Sequence, residues 1–198
     1  KAFTSQLIVL ALLSVHIAQK KGLIDLILKN SIKKLFSLSK DILSILKDKK
    51  IYYDIANDLV KVKSIFYLGR GTMFPLALEG ALKLKEITYK HCEGYAAGEL
   101  KHGPFALLGK DTPVIAIVGR DSHYQRMLTA IREVKARGSP VIAVVPSGDE
   151  GVVRLVDEVI TVPPVDPLLA PFVNTVVMQL LAYYVAKERG CPIDRPRH

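Results

Sequence analysis

Residues 112–118 read TPVIAIV and residues 140–145 read PVIAVV. Both are short, unbroken apolar runs rich in β-branched side chains, which is typical of strands buried on both faces. Between them, His123–Arg137 has the apolar spacing of an amphipathic helix and ends before Gly138. A strand, a helix and a strand in this order predict a βαβ unit, in which the two strands are parallel.

The same alternation extends in both directions along the chain. Further strands are predicted at Ser64–Leu68 and Glu158–Val162, a short turn or helix at Val152–Val156, and long helices at Met73–Tyr89 and from about Pro167 to Arg189. The predicted fold class is therefore α/β, a three-layer αβα sandwich with a parallel sheet, spanning residues 51–198. Because ligands bind where parallel strands end, residues 69–72, 119–122 and 146–148 are expected along one binding edge.

The first 50 residues have helical patterns and no predicted strand. We interpret them as the closing helices of a preceding, incomplete domain. The apolar run at residues 7–18 is expected to be a buried amphipathic helix rather than a signal peptide or a membrane span. Since the sequence opens on Lys1 without a methionine, we expect it to be a piece of a longer protein.

The charge and the cysteines limit the class of protein. The net charge of +9 comes mainly from lysines between Lys20 and Lys63, which alternate with leucine and isoleucine at helical spacing. No aromatic platform accompanies them, so they indicate solvated helix faces rather than a nucleic-acid site. The two cysteines, Cys92 and Cys191, are far apart in the sequence. This usage is typical of a protein whose thiols stay reduced. We expect a cytoplasmic protein that binds neither nucleic acid nor membrane.

Gly69-Arg-Gly-Thr72 follows a predicted strand and precedes a predicted helix. Glycines allow a ligand to approach the backbone, and the amides of a helix start attract anions. Gly69, Gly71 and Thr72 are therefore candidate substrate-binding residues, although a purely structural turn is an equal alternative. The motif lacks the third glycine of a dinucleotide fingerprint, which argues against NAD.

Glu79, Lys83 and Glu86 stand at i, i+4 and i+7, so a helix places them on one face. The pattern fits a surface ladder of ion pairs, but it also fits a base with a cationic helper, with Glu79 as a positioning or substrate-binding partner. His102 follows in a segment rich in glycine and proline, where an imidazole is available for proton transfer. No histidine, cysteine or carboxylate cluster has metal spacing, so neither a metal nor another cofactor is predicted.

The segments Glu79–Ile87 and Tyr95–Pro104 closely resemble the isomerase half of the glucosamine-6-phosphate synthase family, the glutamine-dependent fructose-6-phosphate aminotransferases. The resemblance implies two sugar-isomerase (SIS) domains, with residues 1–50 closing the first and residues 51–198 forming the second. It also implies synthesis of glucosamine 6-phosphate from fructose 6-phosphate and glutamine-derived ammonia. By the same resemblance, Glu86 moves a proton between C1 and C2, Lys83 assists it, and His102 opens the sugar ring in the neighbouring subunit of a homodimer.

Other parts of that family are not found in these 198 residues. The glutaminase domain, the phosphate-binding loops and the lysine that forms a Schiff base are expected elsewhere, so this fragment alone is expected to be inactive. Two alternatives stay open from the sequence. One is a phosphosugar isomerase or deglycase without a glutaminase, and the other is a phosphosugar-binding regulatory module that does no chemistry.

Overall fold

Five parallel strands form one sheet in the order β2-β1-β3-β4-β5. The computed structural model describes residues 2–23, 26–195 and 197. The strands, numbered along the chain, are β1 (Ser64–Gly69), β2 (His91–Ala96), β3 (Val114–Ile117), β4 (Val141–Pro146) and β5 (Glu158–Val162). The helices are α1 (Ala2–Lys20), α2 (Leu26–Lys47), α3 (Lys49–Leu59), α4 (Met73–Thr88), α5 (Tyr124–Ala136), α6 (Glu150–Val153) and α7 (Ala170–Glu188), with a 3₁₀ turn at Pro104–Leu107.

Helices cover both faces of the sheet. Ile65 and Tyr67 of β1 face a core shared with α3, α4 and α7, whereas Phe66 and Leu68 face a second core shared with α5. Side chains alternate between the two faces of a strand, so β1 is buried on both sides. This arrangement confirms the predicted three-layer αβα sandwich with a parallel sheet.

β2 is a strand that the sequence did not predict. It pairs in parallel with β1, from Ser64 opposite His91 to Gly69 opposite Ala96, and it is one of the two outer strands of the sheet. Its sequence, HCEGYA, is mostly polar, and only Cys92 is buried. An outer strand keeps one side near solvent, so it lacks the unbroken apolar run that indicates a central strand.

The N-terminal helices pack beside α7. Leu38 and Ile45 of α2 are buried in the core with α3 and α7. In α1, only Phe3, Leu7 and Ala11 pack against this core, and none of its described residues is buried. The expectation of a buried helix at residues 7–18 is therefore wrong. By length and composition α1 is also long and apolar enough to cross a membrane. The proposed domain boundary at residue 50 stays a prediction.

The direction of α4 positions the charged residues. Because α4 joins the end of β1 to the start of the parallel strand β2, it runs from the carboxyl end of the sheet back to its amino end. Glu86 lies 13 residues after Met73, which corresponds to about 20 Å along the helix axis at about 1.5 Å per residue. The start of α4 and Glu86 are therefore at opposite ends of the sheet.

Candidate functional site

Glu79, Lys83 and Glu86 form one cluster on α4, as the helical spacing predicted. The Lys83 Nζ lies 2.6 Å from Oε2 of Glu86 and 3.9 Å from Oε1 of Glu79. The side chains of Lys83 and Glu86 are 31% and 41% exposed. Both groups are thus ordered by an ion pair and accessible from solvent. We call these three residues the α4 cluster.

α4 is fixed by burial of its other side. Its buried residues recur at helical spacing and pack against the sheet and α7, and they are Met73, Leu76, Ala77, Gly80, Ala81, Leu84 and Thr88. Two glycines allow the close approach. A Cβ at Gly80 would lie 2.8 Å from the Tyr67 ring, and one at Gly94 would lie 2.7 Å from the Ala77 carbonyl. The α4 cluster is therefore mounted on a helix that has little room to move.

Glu79 has a different environment from Glu86. Its side chain is only 11% exposed, and its Oε1 is buried with no hydrogen-bond partner among the described residues. Burial raises the pKa of Glu79, the charge of Lys83 opposes that rise, and the charge of Glu86 adds to it. The ammonium of Lys83 therefore lies between two carboxyl groups, the buried one of Glu79 and the more exposed one of Glu86. This place suits Glu79 for positioning Lys83.

The α4 cluster contains the groups needed for proton transfer. A carboxylate can take a proton from a carbon acid and return it, and an adjacent ammonium can stabilise the negative charge that develops on an oxygen. The same ion pairs would also form in a purely structural surface ladder. The geometry of the α4 cluster therefore fits both proton transfer and a structural ladder of ion pairs.

His102 does not join the α4 cluster within this chain. It lies beyond the end of β2, in the segment that follows the backbone bond from Ala97 N to Gly69 O at the carboxyl end of the sheet. Its side chain is 73% exposed, and its Nε2 is 3.8 Å from Glu99 Oε2. Glu86 is near the opposite end of the sheet, so His102 faces solvent far from the Glu86 of its own chain.

The glycine motif also lies at the carboxyl end. A Cβ at Gly69 would lie 2.1 Å from the Met73 carbonyl oxygen, so the turn itself requires a glycine there. Gly71 has a φ of +57° and packs against the His123 ring. Thr72 is exposed at the start of α4. These local contacts explain why glycine stands at positions 69 and 71. A role of Gly69, Gly71 and Thr72 in binding substrate stays a prediction.

A buried amide that no sequence motif indicated lies at the same end of the sheet. Asn174 is 3% exposed within α7, and its Oδ1 has no hydrogen-bond partner among the described residues. The one available signal was an amide inside the apolar run Phe172–Met178. Across residues 2–23, 26–195 and 197, no group of three or more histidines, cysteines or carboxylates could hold a metal ion.

The layered parallel sheet and the acid–base cluster define a doubly wound α/β domain with a candidate proton-transfer site. The chain belongs to the SIS domain family, whose sequence model matches residues 58–189.

Full-length relatives extend the comparison. The chain is 49% identical, over its whole length, to the glutamine–fructose-6-phosphate aminotransferase (isomerizing) of Methanosarcina acetivorans. It is 42% identical to the protein of the same name from Chlorobaculum tepidum. It spans 32% of the length of each of these two relatives. The resemblance stated from the sequence motifs is thereby confirmed.

Solved structures agree with these relatives. The C-terminal domain of the glucosamine-fructose-6-phosphate aminotransferase of Francisella tularensis superposes with a TM-score of 0.90 at 35% identity, covering 98% of this chain and 55% of that one. The tagatose-6-phosphate ketose/aldose isomerase of Escherichia coli superposes with a TM-score of 0.64 at 23% identity, covering 76% of this chain and 42% of the other. The second likeness concerns the fold alone.

Proposed function

We propose that this chain supplies the proton-transfer part of an enzyme that makes glucosamine 6-phosphate from fructose 6-phosphate and glutamine-derived ammonia. The observation that carries the proposal is the α4 cluster, in a chain similar throughout to proteins named for that reaction. Because the chain spans about a third of those relatives, the complete activity is assigned to a polypeptide that also contains the remainder. Its cytoplasmic location is part of the same proposal.

Glu86 is assigned the proton transfer. Its carboxylate takes the proton from one of the two carbons at C1 and C2, leaving an enediol-like intermediate, and the resulting carboxylic acid, which can exchange its proton with solvent, then donates a proton to the other carbon. Lys83, whose Nζ is 2.6 Å from Glu86 Oε2, holds the Glu86 side chain in position for the two transfers. Glu79 positions Lys83 from the buried side.

His102 is assigned to the site of a second subunit. Its exposure and its place at the end of the sheet opposite Glu86 support a role in a neighbouring chain rather than in its own. We propose a homodimer in which the imidazole of one chain opens the sugar ring bound near the α4 cluster of the other. An imidazole suits ring opening because it can both give and accept a proton near neutral pH.

A chimera tests the proposal. Residues 1–198 would replace the matching region of the Methanosarcina acetivorans relative, and glucosamine 6-phosphate would be measured with and without glutamine. We expect product only when glutamine and fructose 6-phosphate are both present. Glu86→Gln should lower turnover by about 10²–10⁴-fold, whereas Lys85→Gln, an exposed neighbour on the same helix, should leave it within about twofold.

Three results would count against the proposal. A folded chimera that makes no product would show that this chain cannot serve in that enzyme. Isomerisation without any use of glutamine would favour a phosphosugar isomerase. Sugar-phosphate binding without turnover, unchanged by Glu86→Gln, would favour a regulatory module.

A further inference from the structure

The side chain of His102 has little support of its own. It is 73% exposed, and its Nε2 is 3.8 Å from Glu99 Oε2, which is longer than a hydrogen bond. A side chain this exposed is placed mainly by the backbone that carries it. We call residues 97–109, which follow β2, the His102 segment.

The His102 segment is closed at its base and held at its far end. The Phe105 N–H donates to the Leu100 carbonyl oxygen at 2.8 Å. Leu100 is 2% exposed and packs in the core that the sheet shares with α5. At the far end, Ser139 Oγ lies 2.9 Å from the Gly109 nitrogen, from which it accepts, and 3.0 Å from the Gly109 carbonyl oxygen, to which it donates. His102 therefore lies on a turn whose two ends are fixed.

Two side chains at the end of α5 hold the part of the segment around His102. The Nζ of Lys101, the residue before His102, is 2.6 Å from Glu133 Oε1. The guanidinium carbon of Arg137 lies 5.1 Å from the centre of the Phe105 ring, within the range of a cation–π contact. Glu133 and Arg137 are four residues apart, so the helical repeat places them on one side of α5.

The helix α5 is a firm support, whereas the contacts that it makes to the segment are weak ones. Its buried residues pack against the sheet, and they are Met127, Leu128, Ala130, Ile131 and Val134. The side chains of Lys101 and Glu133 are 57% and 31% exposed, and ion pairs this exposed contribute little to stability. Loss of the Lys101–Glu133 pair should therefore displace the turn within a domain that stays folded.

We propose that Glu133 and Arg137 are positioning residues, which hold the turn around His102 so that its imidazole reaches the site of the neighbouring subunit. The inference rests on the proposed function, in which His102 opens the sugar ring of the other chain. A misplacement of about 1 Å can lower a rate by about 10²-fold, and Arg137 still holds the turn when Glu133 is removed. We expect Glu133→Ala to lower kcat about tenfold and to leave KM for fructose 6-phosphate within about twofold, because Glu133 acts through His102.

The test measures glucosamine 6-phosphate formation by mixed chimeras after subunit exchange. In a dimer of one Glu133→Ala chain and one Glu86→Gln chain, the intact Glu86 meets a His102 that is still held by its own Glu133. An equal mixture of the two chimeras should therefore give about a quarter of wild-type turnover. If Glu133 served only the Glu86 of its own chain, the same mixture should give about one twentieth.

Further variants separate positioning from a general defect. Arg137→Gln should show the same pattern with a smaller loss, and Arg132→Gln, which removes an exposed arginine on α5, should leave kcat unchanged. In the His102→Ala chimera, Glu133→Ala should have no further effect, because both changes act through the same imidazole.

The inference is overturned if Glu133→Ala leaves kcat unchanged, if it lowers turnover further in the absence of His102, or if its mixture with Glu86→Gln gives only about one twentieth of wild-type turnover. The mixture of Glu86→Gln with His102→Ala distinguishes this failure from that of the proposed function. Without recovery in that mixture, the shared site itself would be refuted, and the inference with it.

Discussion

Gly94→Ala tests whether the close contact between α4 and β2 holds the α4 cluster in place. An added Cβ at Gly94 would lie 2.7 Å from both the carbonyl carbon and the oxygen of Ala77, and 2.8 Å from Cα of Leu78. Ordinary contacts of a Cβ begin near 3.4 Å, so the backbones must separate by about 0.7 Å. Backbone atoms cannot rotate away as a flexible side chain can, so α4 itself must move.

The expected change in the free energy of unfolding of Gly94→Ala combines two opposing effects. Overpacking of this kind costs about 1–3 kcal/mol. Replacing glycine by alanine also restricts the unfolded chain, which returns about 0.4–1 kcal/mol. We therefore expect Gly94→Ala to lower the free energy of unfolding by about 1–2 kcal/mol. The measurement is urea denaturation of the 198-residue chain, followed by circular dichroism.

Gly109→Ala is the matched control, since a Cβ there meets nothing within 4 Å. Its free energy of unfolding should stay within about 0.5 kcal/mol of the wild type. If Gly94→Ala behaved like Gly109→Ala, the packing of α4 on β2 would be looser than described. In that case the packing of α4 on β2 would not fix the position of the α4 cluster.

Two further predictions concern the dimer and the pH dependence of stability. If His102 acts in the neighbouring subunit, mixing inactive Glu86→Gln and His102→Ala chimeras should restore about a quarter of wild-type turnover after subunit exchange, and no recovery would contradict the shared site. Burial alone would raise the pKa of Asp157, but its bonds from Lys135 Nζ and Val141 N lower it below the usual 3.8. Asp157→Asn should thus cost about 1 kcal/mol at neutral pH, given the partial exposure of this pair, and the deficit should shrink as the pH falls below about 4. Denaturation at several pH values checks this, and a deficit independent of pH would refute it.

Much of the sheet could be predicted because four of its five strands carry a local signal. β1, β3, β4 and β5 were all expected from short apolar runs, and the helices between them from their spacing. The polar strand β2 carries no such signal, since its position follows from pairing with β1. For α1, the apolar composition predicted burial, but burial depends on the packing partners of a helix and not on its composition alone.

The site was predictable only in part for a similar reason. The convergence of Glu79, Lys83 and Glu86 follows from the helical repeat, which is local. The separation of His102 from Glu86 depends on the direction of α4 relative to β2, which no local pattern contains. Asn174 was missed because a single amide in an apolar helix does not reveal which cavity it borders.

The central claim is that the Glu86 carboxylate moves a proton between two carbons of the substrate. Deuterium incorporation into fructose 6-phosphate at C1 measures that step directly, with the chimera in D₂O and the product followed by mass spectrometry. We expect Glu86→Gln to slow incorporation by about 10²–10⁴-fold and Lys85→Gln to leave it unchanged. Incorporation by Glu86→Gln at the wild-type rate would contradict the assignment.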